Sequence, residues 1–171
     1  MVRAPDDLHA AVWDALAGVR DPEIPPCRIT DLGIVQDVRL NGDAVEIDLL
    51  PTFAGCPALD VIREDVEAAV GPVAAGRAVR VEFVYSPPWT SDRITPAGRE
   101  ALRAHGITPP RGAGAAFVPL ASLVPPAACP FCGSRNTVQE SAFGPTLCRA
   151  THYCPDCRNP FEAFKPKLAR G

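Results

Sequence analysis

Apolar residues recur along this chain with two periods. Leu8, Val12, Leu16 and Val19 lie three or four apart behind Asp6, which could act as an N-cap, and this spacing predicts an amphipathic helix. From Ile34 the period shortens to two. Val45, Ile47 and Leu49 alternate with Glu46 and Asp48, the pattern of a strand with one wet face. Segments 34–40 and 44–50 flank Asn41-Gly42-Asp43, so a hairpin is expected, Asn-Gly being a turn that right-twisted strands prefer. Helical spacing returns at Leu59, Ile62, Val66 and Val70, between Pro57, suited to the first helical position, and Gly71, suited to the stop. Val79, Val81, Phe83 and Tyr85 then predict a third strand, and Thr95-Pro96 opens a short helix ending at His105-Gly106. The order α-β-β-α-β predicts an α+β fold, a small mixed sheet backed by helices.

That pattern ends near residue 107. Residues 108–128 hold Pro109-Pro110, Gly112, Gly114, Pro119 and Pro125-Pro126 among alanines, with one charged side chain, and read as a linker. Phe117, Val118, Leu120, Leu123 and Val124 are too apolar for a solvated tether, so part of it is expected to pack on a domain or a partner. The expected organisation is a domain over 1–107, a linker over 108–128 and a small domain over 129–171.

Composition narrows the classes. With 47% hydrophobic and 22% charged residues, the 171-residue chain is that of an ordinary globular protein. No apolar run approaches the roughly 20 residues that span a bilayer, and the first residues lack the apolar core of a secretory signal. A cytoplasmic location is therefore expected, and there seven cysteines favour metal binding or reactive thiols over disulfides. The net charge of −3 is unevenly spread: residues 1–107 hold 10 arginines against 17 acidic residues, and residues 129–171 hold six basic against three acidic. The first segment would repel nucleic acid, and the small excess on the second does not predict a nucleic-acid partner.

The strongest chemical signal is at the C-terminal end. Cys129-Pro130-Phe131-Cys132 and Cys154-Pro155-Asp156-Cys157 are two CxxC knuckles with 21 residues between them, slightly more than the usual zinc-ribbon window. Two thiolates two residues apart bind one ion from a tight turn, and a second such turn completes the tetrahedron that zinc prefers. A closed four-cysteine zinc ribbon holding a fold together is the favoured reading, with an iron-sulfur centre as the alternative that spacing alone leaves open. Residues 129–171 sit near the length, about 40, below which burial alone rarely stabilises a chain, so metal binding is expected to be part of folding.

Cys56 comes next. With Pro57 at the first helical position it would sit at an N-cap, where backbone N–H groups and the helix dipole favour a thiolate; a buried, unreactive cap is the alternative. Asp31-Leu32-Gly33 reads as a turn before the first strand, and Thr52 as a loop residue. Cys27, after Pro25-Pro26, is read as a bystander. Trp89, following Ser86-Pro87-Pro88, would suit a protein contact, although a packed tryptophan is as common. Cys148 and His152 lie between the knuckles but find no vacancy in a set of four cysteines. His9, His105 and His152 form no triad pattern, and Gly71 to Gly76 followed by Arg77 fails the phosphate-loop pattern.

Asp21-Pro22-Glu23-Ile24, Asp31-Leu32-Gly33 and Thr52-Phe53-Ala54-Gly55-Cys56-Pro57 together resemble the iron-sulfur cluster assembly domain of SufT-like proteins. Adding Tyr85-Ser86-Pro87-Pro88-Trp89-Thr90, the segment 94–106 and the ribbon ending Pro160-Phe161-Glu162-Ala163-Phe164-Lys165, the whole chain is similar to the PaaD/PaaJ family of the phenylacetyl-CoA epoxidase system. The resemblance implies a non-catalytic accessory role in aerobic phenylacetate degradation, in maturing an iron-sulfur cluster of the reductase component. It implies that Cys56 is a transient cluster ligand, with Asp31 and Thr52 as neighbours that orient or polarise it. One departure is Cys27, where relatives are expected to carry an apolar residue, so a second ligand from that loop is an open alternative. A single thiolate cannot hold a cluster, so the role requires a second chain, either a homodimer mate or the client. The rival readings are a structural component that only binds the oxygenase proteins, and a thiol enzyme with Cys56 as nucleophile. The chain itself has neither paired Glu-x-x-His motifs nor a dinucleotide fingerprint.

Overall fold

The computed structural model describes residues 5–110 and 127–166. The chain divides into two compact units, residues 1–89 and 90–171.

In the first unit, helix α1 (Pro5–Leu16) places Leu8, Val12 and Leu16 at zero exposure, as their spacing requires. Asp6 is not its cap; with Asp7 it lies inside the first turn, where a carboxylate favours the positive end of the helix. Strands β1 (Arg20–Asp21) and β2 (Ile24–Arg28) form a small antiparallel ladder that periodicity does not reveal, because Pro25 and Pro26 argue against a strand. Asp21 closes its turn, accepting through Oδ1 from the Glu23 and Ile24 amides at 2.8 and 3.0 Å. The expected hairpin is β3 (Val35–Asn41) and β4 (Ala44–Leu49), with a bulge at Gln36. Its loop is Gly42-Asp43, since Asn41 pairs with Ala44; Gly42, at φ +55°, takes the left-handed position one residue later than an Asn-Gly turn would.

Helix α2 (Leu59–Val70) then carries the chain back to β5 (Ala78–Phe83), which pairs parallel with β4, giving the order β3-β4-β5. A parallel neighbour requires such a crossover. Ile62, Val66 and Val70 bury one face of α2, and α1 packs on both α2 and β3. The helix starts two residues after the sequence signal, with Ala58 at the N-cap, and so Cys56 is not a cap residue. α2 ends at Val70 with Gly71 as its C-cap, where the sequence placed the stop, but the cap's backbone stays right-handed, a 3-10 turn over Gly71–Val73 follows, and the left-handed residues are Ala75 and Gly76. Trp89 is 1% exposed and donates its indole N–H to the Leu32 carbonyl at 2.9 Å. The expected contact surface at Trp89 is therefore a packed ring with its polar edge satisfied inside the unit.

The second unit holds α3 (Pro96–Ala104), capped by Thr95, whose Oγ1 accepts from the Gly98 amide at 3.0 Å. Strands β6 (Ile107–Thr108), β7 (Val138–Ser141), β8 (Arg149–Cys154) and β9 (Asn159–Phe164) form one sheet in the order β6-β9-β8-β7. Here the structure departs from the organisation that composition suggests: α3 and β6 belong with the ribbon, and the units part at 89/90 and not at 107. Most of the expected linker, 111–126 with Phe117, Val118, Leu120, Leu123 and Val124, lies outside the described residues, while Thr108 is in β6. No described helix is long and apolar enough to cross a membrane.

Candidate metal centre and thiol groove

The two knuckles adopt matching turns. The Gly133 amide donates to the Cys129 carbonyl at 2.9 Å and the Arg158 amide to the Cys154 carbonyl at 2.7 Å, and both closing residues have positive φ, +76° and +59°. The sulfur atoms of Cys129, Cys132, Cys154 and Cys157 all lie within 4.8 Å of one another, with Cys129 to Cys157 and Cys132 to Cys154 each at 3.6 Å. Around a single ion with Zn–S distances of about 2.3 Å, the edge of a sulfur tetrahedron is about 3.8 Å, so the four thiols fit one ion. A cluster with an iron between each pair of thiolates would spread them further. Cys129 and Cys154 are buried, Cys157 is half-buried and Cys132 exposed.

Groups around the sulfurs lock the knuckles together. Asp156, inside the second knuckle, accepts from Asn136 Nδ2 at 2.7 Å and from Ser134 Oγ, just past the first. These bonds, the Ser134 one first, hold its carboxyl below the usual range. The Asn159 side-chain amide donates to Cys157 Sγ at 3.5 Å and draws that thiol down to about 6, against desolvation. His152 sits on β8 opposite Phe161, 3% exposed, its ring stacked on Phe161 at 5.3 Å. Burial lowers its pKa and Nδ1 has no hydrogen-bond partner, so it is a packed neutral ring, and it stands outside the four-sulfur group. Cys148 lies outside the sulfur group, beside Thr146 Oγ1 at 3.2 Å. Sequence reasoning missed the buried Arg149, which donates to Thr146 Oγ1 at 2.7 Å and pairs with Glu162 at 2.6 Å. Only the β8–β9 register brings that pair together.

In the first unit, Cys56 and Cys27 have opposite settings. Cys27 is fully buried on β2, and desolvation, then Asp21 and Asp31, push its thiol up to about 11. It is a protonated core residue. Cys56 is half-exposed in the loop before α2, its amide bonded to the Phe53 carbonyl at 3.1 Å, and it lines a shallow groove of about 450 Å³. Leu59, Asp60 and Arg63 of α2 form one wall, and Val81, Glu82, Phe83 and Tyr85 the other. Arg63 bonds Asp60 at 3.0 Å and lies 5.5 Å over the Phe83 ring. Thr52 shares the Cys56 loop and Asp31 lies in the turn after β2, both half-buried; neither lines the groove.

Two family models match the chain: "Iron-sulfur cluster assembly protein" over residues 9–83 and "PaaD zinc beta ribbon domain" over 118–165. The class is thus an iron-sulfur assembly domain followed by a zinc ribbon. A solved Bacillus anthracis domain, described as a domain of unknown function DUF59, matches with TM-score 0.52 and 28% identity, over 57% of this chain and 92% of that one. The Fe-S protein maturation auxiliary factor YitW of Bacillus subtilis (strain 168) is 33% identical over 56% of this chain and 93% of its own length. The match to the Escherichia coli (strain K12) protein named as the D component of 1,2-phenylacetyl-CoA epoxidase is 40% identical over 95% of this chain and 94% of that protein. The chain belongs to that protein's family, the PaaD family of epoxidase components.

Proposed function

We propose that this chain is a non-catalytic accessory protein of a phenylacetyl-CoA epoxidase system, working in the cytoplasm to assist iron-sulfur cluster assembly or insertion in the reductase component. The names of its relatives support this: an epoxidase component for the full-length match, iron-sulfur maturation for matches to the first unit. One observation carries the assignment of the working residue. Of the two cysteines in the first unit, Cys27 is buried and protonated, and Cys56 alone reaches solvent, at a groove.

In this reading Cys56 donates one thiolate to a cluster that a second chain, the client or a homodimer mate, holds through the remaining ligands. The apolar lining residues Leu59, Val81 and Phe83 and the exposed ring of Tyr85 give that chain a surface to dock on. Thr52 and Asp31 are proposed to tune the loop and turn around this site. The four ribbon cysteines would hold zinc, which has no redox chemistry and here supplies only cross-linking. Iron, acid-labile sulfide, zinc and the visible spectrum of anaerobically purified wild type and Cys56→Ser test the reading. The expected result is one zinc in both, with iron and sulfide in wild type alone. Equal iron and sulfide in the two would overturn the role of Cys56.

A second reading, an adaptor that only binds the oxygenase components, draws on the exposed Phe131, Val138, Phe143 and Leu147 of the ribbon unit. Normal cluster loading of the reductase in cells lacking this protein would favour it.

A further inference from the structure

The ribbon family model starts at residue 118, yet the second unit starts at residue 90. What joins residues 91–110 to the four cysteines is specific. Helix α3 is nine residues long, short of the roughly 12–15 at which an isolated helix persists in water, and β6 has two residues. Neither stands without tertiary support. β6 lies parallel beside β9, Ile107 opposite Glu162 and Thr108 opposite Ala163, and β9 itself starts at Asn159, which pairs with Cys154. Thr108 Oγ1 donates to the Ala128 carbonyl at 2.6 Å, next to the buried Cys129. Gly106, at φ +78°, closes on the ring of Phe131 inside the first knuckle; a Cβ there would stand 3.2 Å from its Cζ. Arg99 closes the segment on itself, donating to the Ser91 carbonyl at 2.8 Å and to the Pro110 carbonyl.

We propose that the ion at the four cysteines controls the order of α3 and β6. When bound, it holds the Phe131 knuckle and the start of β9, the two surfaces on which residues 106–108 are laid. When it is lost, both surfaces loosen, and the segment from 91 to 110 is released with the ribbon, because helix and strand are too short to persist alone. The metal state of a site formed by residues 129–157 is thereby passed to a helix that precedes it in the chain. The inference rests on reading those cysteines as a metal centre.

Hydrogen exchange on the full chain, loaded with Zn²⁺ or stripped with a chelator and with metal content measured in parallel, tests it. Amides of residues 98–108 are expected to exchange at least about tenfold faster once stripped, while β3, β4 and β5 keep their protection. Protection of 98–108 retained in the metal-free chain would overturn the proposal. A chain that takes up no Zn²⁺ at all would overturn the metal reading beneath it, an outcome the metal count separates from the first. Phe131→Ala, which keeps all four cysteines, probes the route. It should retain one ion per chain and still speed exchange at 105–108, and unchanged exchange with the ion bound would count against the knuckle contact.

Discussion

Leu8, Val12, Leu16, Val45, Leu49, Val66 and Val70 all stand at zero exposure in the first unit, an apolar core shared by two helices and a three-stranded sheet. Around the cysteines of the second unit the packed cluster is far smaller: Cys129, Cys154 and Phe161, flanked by Ala127 and Cys157. Each fully buried aliphatic side chain contributes about 1.5–3 kcal/mol, which accounts for the first unit and leaves the ribbon short. Beside that small cluster the ribbon has four convergent sulfurs and the polar ties of Ser134, Asn136, Asp156 and Asn159. The first unit thus gathers its stability from many small terms, and the ribbon adds one concentrated site to a smaller set of buried residues.

The largest test of that contrast is the loss of a ligand. Cys154→Ser should abolish ion binding and melt the ribbon while the first unit keeps its fold, because structural zinc carries on the order of 10–16 kcal/mol of folding free energy. Two-dimensional amide spectra would resolve the two sets of resonances, and loss of both sets would refute independent stabilisation. Next in size, Leu49→Ala should cost about 2–5 kcal/mol in the urea unfolding of the first unit and leave metal content unchanged. A change within about 0.5 kcal/mol would mean that this core is not what holds the sheet.

Smaller effects come from the backbone. Among the described residues, each unit holds one non-glycine residue in the left-handed region, Ala75 at φ +55° and Arg158 at φ +59°. Ala75→Gly and Arg158→Gly should each stabilise its own unit by about 0.5–1 kcal/mol, seen as a raised unfolding midpoint. The smallest effect is electrostatic. Asp48, bonded by Arg39 at 2.6 Å, has its carboxyl held below the usual range by that bond, against desolvation. Its folded value lies below the unfolded one, so its contribution is present above about pH 4 and fades as pH falls through the folded value. Asp48→Asn should remove about 0.5 kcal/mol at neutral pH and flatten the acid limb of the first unit's stability curve. An unchanged limb would assign the acid sensitivity elsewhere.

Legibility in the sequence varies with the range of the interactions involved. The knuckles can be read because two cysteines two residues apart impose their own turn, and the hairpin because alternation along β4 marks its wet and dry faces. The start of α2 reads two residues early, since Pro57 is compatible with both a first helical residue and the turn before one. For Trp89 a protein contact and a packed ring stay equally open in the sequence, because nothing near it shows that the Leu32 carbonyl meets its indole N–H.

Local spacing along the chain is enough to specify the apolar faces of helices and strands and the thiolate pairs, since each depends on residues within one or two turns of each other. It does not specify that Cys27 is sealed while Cys56 is open, that Arg149 finds Glu162, or that α3 and β6 complete the ribbon. Those outcomes belong to packing: they turn on which distant strand becomes a neighbour and which side chains it shields from water, and no local pattern encodes that.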